Sequence, residues 1–411
     1  MAILKPFKAL RPKPQLAEKV AAPPYDVLSS EEARQMAADN PVCFLRVNKA
    51  EITLPEDVDP HSAQVYETAR DNLRSLIEQG VMIREEQPRL YLYEQRMGEH
   101  VQAGFVAGAS VDEYDGGSIR KHEHTKPDKV EDRARLIDVM DSQVGPVFLA
   151  FRSQPRITAI VEDIKKGEPV YGFTADDGVG HRVWILDDEL EARTVQAFAG
   201  VDALYVADGH HRSASSSRVR QLRKEANPQH RGDEPYNFFL TVIFPHDQLK
   251  ILDYNRLVRD LNGLSGEEFL GKIAERFEVS PALEPRPPKS HTFGMLLGGQ
   301  WYRLAAREGS FAAGDPVRSL DVAILQENLL SPVLGIENPR TDPRIDFVGG
   351  IRGLGELEKR CSEGWAVAFA MFPTTLDELF AVADSGEVMP PKSTWFEPKL
   401  RSGLLVRMMD G

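Results

Sequence analysis

Asp208-Gly209-His210-His211-Arg212 follows directly on the apolar run Ala203–Ala207 and leads into Ser213-Ala-Ser-Ser-Ser-Arg218. The spacing predicts a strand that enters a glycine turn and passes at once into a helix. Such a junction offers unpaired backbone N–H groups and the positive end of a helix dipole, which together attract anions. Gly209 lets a ligand approach the backbone closely. Arg212 can grip a phosphate with a planar fork. His210 and His211 can donate to phosphate oxygens, and Asp208 can take a proton or bind Mg²⁺. The plainer reading is an aspartate capping a helix beside two exposed histidines. Five such residues at one turn favour an anion site over that reading.

A second cluster runs from Arg120 to Arg135. It holds six cations against four anions, net +2 (6 − 4), inside a chain whose overall balance is −13. Glu123 stands between His122 and His124, where a carboxylate suits a general base or a metal ligand, and Arg133 follows Asp132. His122 and His124 would share a face if this stretch were a strand. With His210 and His211 they make a candidate transition-metal set, provided that neutral imidazoles converge. The competing reading is a solvated charged loop before a helix. A third cluster, Pro390-Pro391-Lys392-Ser393-Thr394 with Lys399, places lysines and hydroxyls on a rigid segment near the end of the sequence. These groups suit phosphate, unless they form a surface turn.

Other motifs do not hold. Gly266 to Ile273 has P-loop glycine and lysine spacing, but Ile273 stands where a hydroxyl is needed and the run reads as helix. Gly353-Leu354-Gly355 lacks the third glycine of a dinucleotide fingerprint. There is no Cys-x-x-Cys, His-Glu-x-x-His or Gly-x-Ser-x-Gly.

The elements that must position these residues are read from periodicity. Ala22-Pro23-Pro24-Tyr25-Asp26 is a rigid extended turn, which makes Asp26 a further candidate. Ser29 or Ser30 caps a helix. Val42–Val47 is strand-like, and His61–Gln79 is helical. Strands are expected at Leu90–Glu94, Gln102–Ser110, Val147–Phe151, Val183–Leu186, Phe238–Phe244 and Leu249–Leu252, with a helix at His211–Arg223. Beyond these come helix at Leu264–Phe277, a hairpin at Thr292–Leu304, helix at Leu320–Leu334, strand at Ala366–Phe372 and helix at Leu376–Ser385. The expected fold class is mixed α/β (α+β) in two domains, residues 1–250 and 251–411.

Composition bounds the partners. The chain has 411 residues, 42% hydrophobic and 27% charged, ordinary for a globular protein with a sizeable core. Its negative balance disfavours broad nucleic-acid binding. Two cysteines cannot form a disulfide framework and read as reduced thiols of a cytoplasmic protein. Neither a signal peptide nor an apolar run long enough for a membrane span is expected.

The sequence resembles the domain-of-unknown-function 1015 (DUF1015) family of prokaryotic cytoplasmic proteins nearly end to end. The resemblance is carried by Phe7-Lys-Ala-Leu-Arg11, Ala22-Pro-Pro-Tyr-Asp26, His122-Glu-His-Thr125 with Asp132-Arg133, Val206-Ala-Asp-Gly-His-His-Arg212, and Pro390-Pro-Lys-Ser-Thr394 with Pro398-Lys399. The Asp-Gly-His-His-Arg box also looks like the phosphate box of the ParB/sulfiredoxin superfamily, and especially that of free-serine kinases. This resemblance implies a ParB/sulfiredoxin-like core in the first domain and an α/β second domain whose last segment returns to the site. It implies phosphoryl transfer from ATP, ADP or pyrophosphate to a small hydroxyl compound, L-serine giving O-phospho-L-serine. In that scheme Gly209, His210, His211, Arg212, Lys392, Ser393, Thr394 and Lys399 bind phosphate, and Asp208 contacts Mg²⁺. Asp208 or Glu123 takes the hydroxyl proton, while His122, His124, Arg133 and Asp26 border the substrate. A cysteine replaces His210 in sulfiredoxins, so sulfinic-acid repair is disfavoured. Two alternatives stay open: a regulatory module that binds CTP or ATP without transfer, and a metal-dependent hydrolase.

Overall fold

The computed structural model describes residues 2–410. These divide into two compact units, one running to Leu249 and resuming at Pro398, the other spanning Lys250–Glu397. Both mix α and β structure.

The first unit is built on a mixed sheet. Its strands run in the order Ile119–Arg120, Leu204–Asp208, Val147–Phe151, Phe238–Pro245, His100–Ser110, Tyr91–Met97, Gly180–Ile185 and Tyr171–Thr174, with Leu4–Lys5 added beside His100–Ser110. Leu204–Asp208 runs parallel to Ile119–Arg120 and antiparallel to Val147–Phe151, and the latter runs parallel to Phe238–Pro245. The central strands are apolar almost throughout, as expected of strands covered on both faces. Phe105, Leu149, Val206 and Ile243 belong to one core with Ile157, Ile160 and Phe198 from neighbouring helices. Gly104 is needed there: a Cβ at this position would stand 2.8 Å from the Phe244 ring.

A second core gathers Phe44, Leu45, Ala69, Leu73 and Leu136. It lies under the helices Ser30–Ala37, Ala63–Glu78 and Pro127–Met140. Ser29 closes a capping box with Glu32 at the first of these helices. Residues after Pro398 belong to this unit because Val406–Met408 pairs with both Ala9–Pro12 and Ser142–Gln143. The expected division keeps 251–411 together with its last segment returning to the first domain's site; by compactness, the residues from Pro398 group with the first unit.

The second unit holds an antiparallel sheet in the order Phe277–Pro281, Gln300–Ala306, Thr292–Leu297, Val367–Ala370, Tyr254–Val258 and Ile345–Gly349, plus the pair Lys250–Leu252 and Trp395–Glu397. The P-loop-like run is a capped helix, Gly266–Ile273.

Some expectations change. Val42–Val47 is no strand; Leu45–Asn48 is one helical turn whose Leu45, Val47 and Asn48 are all buried. A short apolar run reads the same way in either state when no face is exposed. The polar stretch after Arg120 contains the helix Pro127–Met140, opened by a proline in its first turn. The helix expected over 320–334 divides into Asp321–Leu325 and the π-turn Gln326–Leu330.

Candidate functional site

The strand Leu204–Asp208 ends at Gly209, whose φ of 94° is left-handed, and the helix His210–Ala226 begins at once. Gly209 is required here for two reasons. A side chain would be strained at that φ, and its Cβ would stand 3.2 Å from the Arg212 guanidinium. No side chain caps this helix, so its first-turn N–H groups and dipole remain available to an anion.

Arg212 folds back beneath the turn. Its Nη1 donates to the Pro146 carbonyl. Its Nη2 stands 3.7 Å from Asp208 and 3.8 Å from Asp26, too far for either to be a hydrogen bond. Burial opposes its charge, but these two carboxylates outweigh burial and raise its pKa further. Lys399 Nζ donates to Asp208 Oδ2 at 3.1 Å, and Gly209 N–H donates to Oδ1 at 2.9 Å. Burial pushes the Asp208 carboxyl up; Lys399, Arg212 and His210 together bring it well below the usual carboxylate range. Lys399 is fixed through its backbone, whose carbonyl accepts from Gln95 Nε2 at 2.9 Å.

The paired histidines do something the sequence did not suggest. His210 Nε2 accepts from the His122 backbone N–H at 3.5 Å, and His211 Nε2 accepts from the Lys126 N–H at 3.1 Å. Both rings therefore pin the 122–126 loop, and the His210 ring, 5% exposed, has its Nε2 turned inward. His210 thus anchors the loop through Nε2, and the neutral imidazole that burial favours keeps its proton on Nδ1. Its pKa lies well below the ordinary value, through burial first and then the neighbouring His122. His211 is lowered too, by burial foremost. His122 packs edge-on against His210 with ring centroids 4.4 Å apart. Burial lowers it to about 4, although Asp208 and the Val206 backbone pull the other way. Glu123 Oε2 faces His210 Nδ1 at 3.9 Å. His124 is exposed.

Arg133 lies over the Tyr25 ring, 4.5 Å from its centroid. Asp132 holds it through Nε at 2.7 Å and Nη2 at 2.6 Å. The other Asp132 oxygen accepts from Tyr66 Oη and contacts His61 Nδ1, each at 2.7 Å. Tyr25, Arg133 and Arg212 line one space, and Asp26 stands 3.8 Å from Arg212. Asp132, His61 and Tyr66 were not assigned roles from sequence; they orient Arg133, and only the pairing Asp132-Arg133 hinted at it.

Lys392, Ser393 and Thr394 belong to the second unit. Lys392 Nζ lies over the Tyr254 ring at 5.4 Å. The Ser393 hydroxyl donates to Pro390 O at 2.7 Å, and the Arg256 guanidinium donates to the Lys392 carbonyl at 3.0 Å.

Among the described residues no three His, Cys, Asp or Glu side chains converge as a metal would need. The four-histidine set is not assembled: two imidazoles use Nε2 for backbone N–H groups, and His124 points elsewhere in exposure terms, being open to solvent while His122 is buried. No helix among the described residues is long and apolar enough to cross a membrane.

The sequence matches the family described as "Protein of unknown function (DUF1015)" over residues 4–323. No curated protein matches it. Among solved structures it is similar to a free serine kinase in complex with AMP, at 15% identity and TM-score 0.36, covering 73% of this chain and 92% of that one. A mutant free serine kinase in complex with ADP gives 15% identity and TM-score 0.37, covering 74% and 94%. C-terminally truncated SbnI from Staphylococcus aureus gives 13% identity and TM-score 0.39, covering 74% and 87%.

Proposed function

The chain belongs to the DUF1015 family, and from that premise we propose that it is a small-molecule kinase, transferring a phosphoryl group from ATP, ADP or pyrophosphate to the hydroxyl of L-serine or a similar compound. One observation carries the reading: an uncapped helix N-terminus lies beside Arg212 and Lys399, the two cations that hold the carboxyl of Asp208 well below the usual carboxylate range. Phosphoryl transfer depends chiefly on positioning and on neutralising charge. In this proposal the turn is a ParB/sulfiredoxin-like phosphate cradle.

The first-turn N–H groups and Arg212 receive the donor's phosphates, with Lys399 beside them. Asp208 is a poor base, because its neighbours favour its ionised form. Glu123 is the better candidate for the proton acceptor: its carboxylate is 43% exposed and reaches the site from the loop that His210 and His211 anchor. Arg133 and Asp26 border the acceptor. Lys392, Ser393 and Thr394 are assigned to phosphate on the strength of their motif alone.

Mg²⁺ is commonly held by one or two carboxylates, with phosphate oxygens and water completing the shell. Asp208, ionised and partly exposed, fits that role. Bound there, Mg²⁺ would supply charge neutralisation on the phosphates.

The experiment is an assay of purified protein with L-serine, Mg²⁺ and each donor in turn. Phosphoserine with at least one donor is expected. None with any donor rejects the kinase reading, and nucleotide binding without turnover would select the regulatory alternative.

A further inference from the structure

A cavity of about 40 Å³, partly open, lies beside the cradle and is lined by the polar side chains of Tyr25, Asn48, Arg133, Gln143, Arg212 and Ser216, with aliphatic groups between them. We propose that this cavity seats the carboxylate of the acceptor, and that Asn48 selects for it. The proposal rests on the kinase reading only for the word acceptor; binding of a small carboxylate stands apart from it.

Three features point to this ligand. The first is size. A water needs roughly 10–15 Å³ of such space, so the cavity takes about three water-sized atoms. A carboxylate has three heavy atoms, and a phosphate has five.

The second is donor inventory. No acidic side chain lines the cavity. Arg133 spends Nε and Nη2 on one oxygen of Asp132, and Arg212 Nη2 is beyond hydrogen-bond reach of both carboxylates it faces. Two guanidinium groups therefore border the space with donor capacity to spare, in the planar geometry that suits a carboxylate.

The third is an orphan. Asn48 is 6% exposed, and its Nδ2 has no hydrogen-bond partner. A buried amide left unpaired is costly. Half a turn of the carboxamide exchanges its nitrogen and oxygen, so either atom can be turned to the cavity. A carboxylate oxygen would pair the N–H₂ group, which has no hydrogen-bond acceptor among the described residues. The other polar lining groups are already engaged, Gln143 with the Phe238 carbonyl and the Leu240 N–H and the Ser216 hydroxyl with the Arg212 carbonyl, so Asn48 is left to meet the ligand. Arg212 borders both this cavity and Asp208. A small hydroxy acid whose carboxylate sits in the cavity would extend from it toward the phosphate cradle.

The test is calorimetric titration of the full chain with L-serine, D-glycerate, ethanolamine and pyrophosphate. L-serine and D-glycerate should bind, and ethanolamine, which lacks the carboxylate, should bind at least about a hundredfold more weakly. Asn48→Asp places a like charge in the cavity and should weaken L-serine by at least about tenfold while leaving pyrophosphate within about twofold. Asn48→Leu, nearly the same size and uncharged, should weaken L-serine in the same direction with its melting temperature measured alongside, so a folding failure of the first variant does not end the test. Equal binding of ethanolamine and L-serine, failure of both carboxylates to bind, or a parallel loss of pyrophosphate affinity would each overturn the proposal. Phosphoryl transfer to ethanolamine as fast as to L-serine would sink the pocket and spare the kinase. Carboxylate binding without phosphoserine from any donor would sink the kinase and spare the pocket.

Discussion

Acidifying the protein from about pH 7.5 to about pH 5 should destabilise its first unit by several kcal/mol while firming the second. The first unit keeps His122 and His181 neutral. Burial lowers His122 to about 4 and His181 to about 3, the latter helped by Arg401, against an ordinary value of 6.5. His210 is shifted the same way. Between each folded pKa and 6.5 the unfolded chain binds a proton that the folded chain refuses, so stability falls as pH falls through that window. It is fully present above 6.5. At about pH 5 each histidine has titrated about 1.5 pH units in the unfolded state, worth about 2 kcal/mol apiece. His122 and His181 together give about 4 kcal/mol, and His210 acts in the same direction, against a usual domain stability of about 5–15 kcal/mol.

In the second unit Asp321 has the opposite sign. It is 8% exposed, its Oδ2 has no partner, and burial raises it to about 7. Its stabilising contribution is present at low pH and is lost as pH rises through about 7, so acid adds about 2–3 kcal/mol there. Hydrogen exchange read by mass spectrometry separates the two. Amides of 204–212 and 119–126 should lose protection as the pH drops, after correction for intrinsic exchange, while those of 321–325 should not. A flat first-unit stability over this window would refute the inference that these imidazoles are held neutral.

Other perturbations address the cradle directly. Gly209→Ala should cost about 1–2 kcal/mol in urea titrations, because a left-handed φ penalises any Cβ, and should reduce pyrophosphate affinity by displacing Arg212. Arg212→Lys keeps the charge but loses the fork, so turnover should fall by about a hundredfold with the melting temperature nearly unchanged. Lys399→Met removes the main counter-charge of Asp208, so the acid limb attributable to that carboxylate should move to higher pH in a titration followed by NMR. Glu123→Gln should abolish phosphoserine formation yet leave nucleotide or pyrophosphate affinity within about twofold, the split expected of a proton acceptor that does not hold phosphate.

Much of the frame was legible because it rests on short-range rules. Strand, glycine turn and helix at 204–226 follow from an apolar run, a residue tolerant of φ > 0 and a polar helical tail. Ser29 with Glu32, and Thr375 with Glu378, are capping boxes readable three residues apart. What stayed hidden depends on distant partners. Asn48 carried no signal, since its position follows from one buried helical turn mistaken for a strand. Tyr25 acquires its place only through Arg133, more than a hundred residues away in sequence and 4.5 Å away in space. The pairing of Val406–Met408 with Ala9–Pro12 involves two backbone registers that no local pattern encodes.

The box itself shows how a motif read residue by residue hides the contacts its side chains make within the fold. Of its five residues, Gly209 supplies the conformation, and His210 and His211 accept N–H groups from the loop that carries Glu123. Asp208 and Arg212 are its charged members, with Arg212 Nη2 3.7 Å from the Asp208 carboxylate. Two neutral, pinned imidazoles nonetheless matter to the chemistry. In the proposed kinase a loop bearing the proton acceptor must be held against the phosphate-binding helix terminus, and cationic histidines would compete for the same charge while losing their acceptor nitrogens. Burial, which lowers both pKa values, therefore serves the fold and the site through one physical effect. That coupling ties the two kinds of measurement together: a pH at which His210 and His211 become protonated should release the loop, and turnover should fall there before the cradle loses its affinity for pyrophosphate.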